Sequence, residues 1–405
     1  MSKIDELLEA LCPDGVEYKK LKEVCRFQNG FSFKSAKFTN EGKPILRITN
    51  IQDNSIGGEF VCFSKDDYKE NLESYLVSPG DTVVAMSGAT TGKIGYNYSD
   101  KYYYLNQRVG LFVPNESRLM KRYLFHWLST QTQNIYNVSS GSGAQPNLSS
   151  VKMMEFVIPI PPLEVQREIV RILDSFTLLT AELTAELTAR KKQYEYYRDE
   201  LLKPKTNIPM VKLGEIATIV RGASPRPIKN FITTDEDGVN WIKIGDVAQG
   251  SKYVMRANEK ITEAGAKRSR RVKPGDFILS NSMSFGRPYI LKIDGCVHDG
   301  WLIISEYDNN YLPDFLYHLL NSTSVQQEMA KRASFGGAVQ NLNADIVKAL
   351  VLPVPPLDVQ KRYADVLDNF EKICNDISIG LPAEIEARQK QYEFYRDKLL
   401  TFKQL

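Results

Sequence analysis

The chain is poor in histidine and cysteine. Three histidines, His126, His298 and His318, leave no His-rich metal centre. The five cysteines (Cys12, Cys25, Cys62, Cys296, Cys374) are scattered and form no C-x-x-C pair. That excludes a paired zinc motif and a disulfide framework, and fits reduced thiols in a cytoplasm. No stretch of uncharged apolar residues is long enough for a membrane span. The opening MSKIDELLEA is acidic and amphipathic and lacks a signal-peptide core. Enzyme signatures are missing as well. There is no Asp/Asn-Pro-Pro-aromatic tetrapeptide of an amino-methyltransferase, no G-x-S-x-G and no H-E-x-x-H. Gly88-Ala89-Thr90-Thr91-Gly92-Lys93 approaches a phosphate-binding Walker A loop and fails: three residues separate the glycines, and Ile94 stands where Ser or Thr is required. Charge of one sign is lacking too, with 52 Lys and Arg against 49 Asp and Glu. Composition therefore neither demands nor forbids nucleic acid, and local charge must decide.

What is present is a repeat. VIPIPPLEVQ at 157–166 returns as VLPVPPLDVQ at 351–360, with seven of ten residues identical. ARKKQYEYYRDELL at 189–202 returns as ARQKQYEFYRDKLL at 387–400, with eleven of fourteen identical. Weaker echoes lie between. Lys20-Leu21 matches Lys212-Leu213, Val77-Ser78-Pro79-Gly80-Asp81 matches Val272-Lys273-Pro274-Gly275-Asp276, and Gly92-Lys93 matches Gly286-Arg287. The order is globular domain, helix, globular domain, helix. Asp5-Glu6-Leu7-Leu8 repeats Asp199-Glu200-Leu201-Leu202. The N-terminal fragment is therefore expected to dock beside the end of the C-terminal helix. The resulting map is an N-terminal helix fragment at 1–16, domains at 17–160 and 206–354, and long helices at 161–205 and 355–405, the second broken near Gly380-Pro382.

After Pro161-Pro162 an apolar 3–4 spacing runs Ile169, Leu173, Phe176, Thr180, Leu183, Leu187, Arg190, Tyr194, Tyr197, Leu201, apolar at eight of ten positions. About 40 residues of helix span about 60 Å at 1.5 Å per residue. The second copy runs Tyr363, Leu367, Phe370, Cys374, Ile377, Leu381 and resumes after Pro382. Each seam needs a partner. The expected one is the other helix, antiparallel, as an intramolecular coiled coil rather than a dimer. Their solvent faces carry near-identical blocks containing Gln193, Tyr196, Arg198 and Gln391, Phe394, Arg396, a copied surface able to bind a partner twice. Arg190 and Arg388 fall in seam phase and are expected to pair with carboxylates across the helices.

The domains read as α+β, with strand-like runs at 82–86, 102–113, 277–280 and 301–305 and helical stretches at 119–136 and 314–332. His126 and His318 lie on apolar helices and read as core residues. The strongest basic segment, 252–273, holds Lys252, Arg256, Lys260, Lys267, Arg268, Arg270, Arg271 and Lys273 against Glu259 and Glu263; Lys121-Arg122 is a smaller cluster. Cations among Tyr, Asn and Ser suit duplex DNA, where lysines hold phosphates and arginines can also read guanine. The candidate DNA contacts are Lys34, Lys93, Arg108 and Gln145 in the first domain. In the second they are Arg221, Arg226, Arg268, Arg270, Arg271 and Arg287.

The repeated (I/L)-P-x-P-P-L-x-x-Q block, the Q-Y-E-(Y/F)-Y-R-D helices and the opening C-P-D-G-V-E-Y-K-K-L resemble the DNA-specificity subunit of Type I restriction–modification systems. Ser87-Gly88-Ala89-Thr90-Thr91-Gly92-Lys93 and Gly143-Ala144-Gln145-Pro146-Asn147-Leu148 resemble the family as well. The second domain departs from both, with Ser284-Phe285-Gly286-Arg287 and Gly337-Ala338-Val339-Gln340-Asn341-Leu342. The resemblance implies a non-catalytic, cytoplasmic subunit with no cofactor of its own. It would join two modification subunits, which carry the adenine methyltransferase and S-adenosylmethionine, and restriction subunits using ATP and Mg2+. Each recognition domain would read one half of a split double-stranded DNA target, and the helices would set the spacer. A site of about 14 base pairs spans roughly 48 Å, within the helix length. Two rival readings remain: an autonomous DNA enzyme with an unrecognised nuclease site, and a coiled-coil scaffold without a DNA role.

Overall fold

Proline pairs start both long helices, and a glutamine four residues on locks each start in place. The computed structural model describes residues 3–140, 146–247, 250–281, 285–336, 339–375 and 380–405. The central helix runs Leu163–Leu202, followed much later by Leu357–Asn375 and Leu381–Leu399. Pro382 sits in the first turn of the last helix, where its missing N–H costs nothing. Two compact units divide the chain, Met1–Ala181 with Glu386–Leu405, and Glu182–Ile385, the boundary falling inside the central helix. No helix among the described residues is long and apolar enough to cross a membrane.

In the first unit, Glu17–Lys20 pairs antiparallel with Val157–Ile160. Two four-stranded sheets follow. One orders Cys62–Phe63, Lys43–Leu46, Tyr103–Leu105 and Leu76–Val77; the other orders Cys25–Asn29, Val109–Pro114, Thr82–Ala85 and Ile94–Tyr96. The second unit repeats the plan. Met210–Lys212 pairs with Val351–Pro353, and two five-stranded sheets follow, centred on Phe277–Ser280 and Val239–Ile242. The run expected at 102–113 is two strands, because a turn at Gln107-Arg108 separates them. The helical stretch at 314–332 is also split, into Pro313–Leu320 and Thr323–Arg332. Between them Ser322 Oγ caps the Leu319 carbonyl at 2.7 Å.

Three repeated fixtures explain the repeated motifs. First, the Gln166 amide is fully buried. It accepts from Met120 N–H (2.9 Å) and donates to the carbonyls of Arg118 (2.7 Å) and Pro161 (2.8 Å). Gln360 does the same with Leu312 N–H (2.9 Å) and the carbonyls of Asn310 and Pro355 (both 2.8 Å). Second, Ser78 N–H and Lys273 N–H donate to Asp81 and Asp276 at 2.7 and 2.9 Å. These close Pro-Gly turns in which Gly80 and Gly275 take φ of +83° and +95°. Third, His126 Nε2 meets Asp174 at 2.8 Å and its Nδ1 meets the Tyr392 hydroxyl at 3.2 Å, while His318 meets Asp368 at 2.5 Å and Tyr194 at 3.0 Å. Both histidines are fully buried, as core residues.

The predicted seam is the packed face of the central helix: Ile169, Leu173, Leu183 and Tyr194 are buried. In the first unit Phe176 stacks on Tyr395 at 5.4 Å. In the second, Lys205 reaches Tyr363, Tyr197 lies 5.7 Å from Phe370, and Lys191 lies beside Cys374. Rising numbers on one helix meet falling numbers on the other, so the pairing is antiparallel and intramolecular. The N-terminal helix, Lys3–Leu11, shares an apolar cluster with both long helices. Ile4, Leu7 and Leu8 lie among Ile169, Leu173, Leu399 and Leu400. Val16 N–H donates to the Lys403 carbonyl at 2.9 Å and Leu405 N–H to Val16 at 3.2 Å. It therefore docks beside the end of the C-terminal helix, as the repeat requires. All five cysteines are free thiols.

Candidate nucleic-acid interface

Both units hold the same frame of loops at one edge of a sheet. In the first, a Cβ on Gly30 would lie 2.0 Å from the Asn106 carbonyl oxygen, so only glycine allows that approach. Met86 N–H donates to Arg108 O (2.8 Å), Leu148 N–H to Met86 O (2.8 Å) and Gly92 N–H to Ala85 O (2.9 Å). In the second, a Cβ on Gly222 would lie 2.2 Å from the His298 carbonyl oxygen. Asn281 N–H donates to Gly300 O (3.1 Å), Leu342 N–H to Asn281 O (2.8 Å) and Gly286 N–H to Ser280 O (2.9 Å). These three backbone bonds recur in both units while the side chains differ. Asn106-Gln107-Arg108 in one unit stands where His298-Asp299-Gly300 stands in the other.

This frame gathers some of the predicted contacts. Arg108 is exposed in the 107–108 turn. Lys93 follows Gly92 and pairs with the exposed Asp53 at 2.8 Å, a surface ion pair that is readily exchanged. Gly88–Thr90 forms a single 3-10 turn, and Thr91 Oγ1 bonds the carbonyls of Gly88 and Pro146, so the loop is no phosphate cradle. Lys34 is exposed beside an aromatic cluster, its N–H bonded to Tyr68 Oη at 3.0 Å. Gln145 lies outside the described residues.

In the second unit Arg221 Nε donates to the Asp299 carbonyl (2.8 Å) and Arg226 Nη2 meets the Asp299 carboxylate (3.3 Å). Arg287 lies over the Tyr289 ring at 5.5 Å. Arg268 covers Phe231 at 5.2 Å, and Arg271 forms an ion pair with Glu263 at 2.6 Å. Arg270 is exposed on the edge strand Arg270–Val272, which pairs with Gly295–Val297. Ser269 Oγ ties that strand to the Ala223 carbonyl at 2.6 Å, so Arg270 stands beside the Gly222 loop. A cleft of about 950 Å³ opens here, lined by Arg226, Lys229, Trp241, Lys243, His298 and Asp299. His298 Nδ1 accepts from Gly300 N–H at 2.8 Å, and burial lowers its pKa.

Several cations expected on the surface are structural instead. Lys252 is largely buried and bridges Asp314 (2.7 Å) and Asp368 (2.6 Å). Burial opposes its charge, but the two carboxylates outweigh it and raise its pKa. Arg122 likewise meets Asp174 at 2.7 Å, enclosed by Tyr96, Tyr98 and Phe125. Each unit thus neutralises the same pair, a buried histidine and a half-buried aspartate, with a cation from a different place in its sequence. For Asp174, burial acts to raise the pKa, yet the His126 hydrogen bond and the Arg122 charge hold it below the usual carboxylate range.

On the long helices Tyr196 and Phe394 project into solvent, 62% and 63% exposed. Gln193 and Gln391 lie beside them, each bonded by an arginine three residues earlier. Arg198 and Arg396 depart from the expected solvent face. Arg198 is buried over Tyr194, bonded to Asp199 and Thr323. Arg396 is folded over Tyr392 and bonded to Asp397. Each lies four residues after a tyrosine that turns inward to a histidine, and the helix carries the arginine onto the same face. Among the described residues Arg190 pairs with Glu186 on its own helix. His318, Asp368 and Glu371 are close enough to hold a metal. Their atoms are engaged by Tyr194, Lys252 and Tyr317, and they read as an ion-pair network. Asp299 carried no signal in the sequence, since its role depends on neighbours more than 70 residues away.

Comparison with known proteins places this architecture. The model of the Type I restriction modification DNA specificity domain matches twice, at residues 13–190 and 206–387. A type I restriction enzyme specificity subunit of Escherichia coli is 34% identical over 301 residues, covering 71% of this chain and 72% of that protein. A putative type I restriction enzyme specificity subunit of Haemophilus influenzae is 32% identical over 416 residues, covering 98% of each. Among solved structures, a chain from work on complex assembly and conformational transition of the type I R-M system shares the fold with a TM-score of 0.65 at 16% identity, covering 96% of this chain and 98% of that one. The type I restriction-modification S subunit from M. genitalium shares it at 0.55 and 14% identity, covering 95% and 96%. With both repeats matched and a full-length relative above 30% identity, the chain belongs to the Type I restriction–modification DNA specificity family.

Proposed function

We propose that this chain is the DNA-recognition subunit of a Type I restriction–modification complex, without catalytic activity of its own. Each unit reads one half of a bipartite duplex target. The observation that carries this reading is the pair of matched loop frames bearing different side chains. One scaffold used twice with different donors and acceptors is what two unlike half-sites require. Arg108, Lys93 and Lys34 supply the cations of the first frame. Arg221, Arg226, Arg270 and Arg287 supply those of the second, with Arg268 and Arg271 beside them. The copied surfaces around Tyr196 and Phe394 dock two modification subunits, which bring S-adenosylmethionine; restriction subunits using ATP and Mg2+ complete the assembly.

The test is a methylation map of the host genome with and without this gene. Loss of methylation at one split motif, two defined halves around a fixed unspecified spacer, is the expected result. An unchanged map with the companion methyltransferase expressed would overturn the reading. Incubation of the pure chain with plasmid and Mg2+ should give no cleavage; nicking would favour an autonomous nuclease instead.

A further inference from the structure

We infer that Asp299 organises Arg221 and Arg226 into a guanine-reading pair, and that this pair decides the half-site of the second unit. The inference rests on the DNA-recognition reading and deepens it by separating base contacts from phosphate contacts.

The geometry is specific. Asp299 holds Arg221 through its backbone carbonyl (2.8 Å) and Arg226 through its carboxylate (3.3 Å). Its own position is over-determined. Ser224 Oγ donates to Oδ1 at 2.6 Å, Asp299 N–H meets Ser224 Oγ at 3.3 Å, and Asn281 Nδ2 donates to the Asp299 carbonyl at 3.1 Å. The Ser224 bond, then the Arg226 charge, keeps the carboxylate ionised, below the usual range. Among the described residues each arginine commits one of its five donors to Asp299. Arg221 is anchored at Nε, which leaves the end-on Nη1/Nη2 fork for an acceptor pair. The Arg226 side chain is 81% exposed, so its remaining donors face solvent at the mouth of the cleft.

Charge distinguishes the ligand. A carboxylate beside a cation repels an approaching phosphate and weakens a purely electrostatic contact. The acceptors N7 and O6 of guanine carry no net charge, so the same carboxylate costs little, and the Asp299 carbonyl on Arg221 Nε orients that residue's fork. Arg270, exposed on the adjoining strand with no ion pair among the described residues, has the opposite character and suits phosphate. The second unit therefore carries two kinds of cation around the Gly222 loop, buttressed ones that read and an unbuttressed one that positions. In the first unit the position of Asp299 is taken by Gln107, so the first unit lacks this device and reads its half differently.

The test uses the chain assembled with its companion methyltransferase and duplexes carrying the mapped target. Each guanine is replaced in turn by 7-deazaguanine, which removes N7 alone. For the wild-type complex, substitution at a guanine in one half-site should weaken binding about tenfold, about 1.4 kcal/mol. Arg226→Lys, which keeps the charge and removes the fork, should abolish that penalty at one position. Asp299→Asn should reduce it several-fold, with the other half-site unaffected as an internal control of folding and assembly. Wild-type binding insensitive to 7-deazaguanine at every position would overturn the inference. So would Asp299→Asn weakening all duplexes equally, the behaviour of a merely structural residue. A complex that binds target and scrambled duplexes alike would overturn the recognition reading itself.

Discussion

Replacing Gln166 by leucine should weaken the first unit selectively, and replacing Gln360 should weaken the second. Each amide is fully buried and satisfies one backbone N–H and two backbone carbonyls at 2.7–2.9 Å. Leucine fills a similar volume and satisfies none of them. A buried polar group left unpaired costs about 1–3 kcal/mol. Allowing water to reach one of the three, the total is about 2–6 kcal/mol. At about 2–4 °C per kcal/mol for a unit of this size, melting should fall by roughly 10 °C. The assay is amide hydrogen exchange on the full chain, read together with calorimetry. Gln166→Leu should lose protection at the start of Lys121–Thr130 and leave Pro313–Leu320 unchanged; Gln360→Leu should do the reverse. A loss under about 1 kcal/mol would refute the assignment of these glutamines as the locks of the repeat. Equal loss of protection in both helices from either substitution would refute it too.

The remaining predictions concern charge and surface. Arg270→Ala should lower the slope of log K against log salt by about 1, while Arg271→Ala, already neutralised by Glu263, should change it by much less; equal slopes would show that the ion pair opens on binding. Burial lowers the pKa of His126 below its ordinary 6.5. The unfolded chain then takes up a proton that the folded unit refuses, so stability is full above pH 6.5 and declines as pH falls below it. Exchange protection of the first unit between pH 8 and 5 checks this, and a flat profile would contradict it. Tyr196→Asp and Phe394→Asp should each weaken capture of the companion methyltransferase at least tenfold in sedimentation experiments, with unchanged far-UV dichroism; unchanged capture in both would remove these faces as docking sites.

The sequence by itself determined the repeat, the helix seam and the family, because these are written in local order. (I/V)-P-P-L-x-x-Q starts a helix at a proline pair in both copies. Val-x-Pro-Gly-Asp closes the same turn twice, and a 3–4 apolar spacing must face a partner. The paired helices of the fold, the docked N-terminal segment and the core histidines follow from that order. Which cations are free to meet DNA does not follow from it. Lys252 lies in the most basic segment of the chain, yet it is consumed by Asp314 and Asp368. Arg122 is consumed by Asp174, more than 50 residues away, and Arg198 turns inward behind Tyr194. Asp299 was invisible because an aspartate between a histidine and a glycine has no pattern of its own. Its meaning comes from Arg221, Ser224 and Arg226, which the sheet brings across more than 70 residues. An ion pair depends on distance through space, and a one-dimensional charge count carries no distances; only the tertiary structure decided which charges remain to be used.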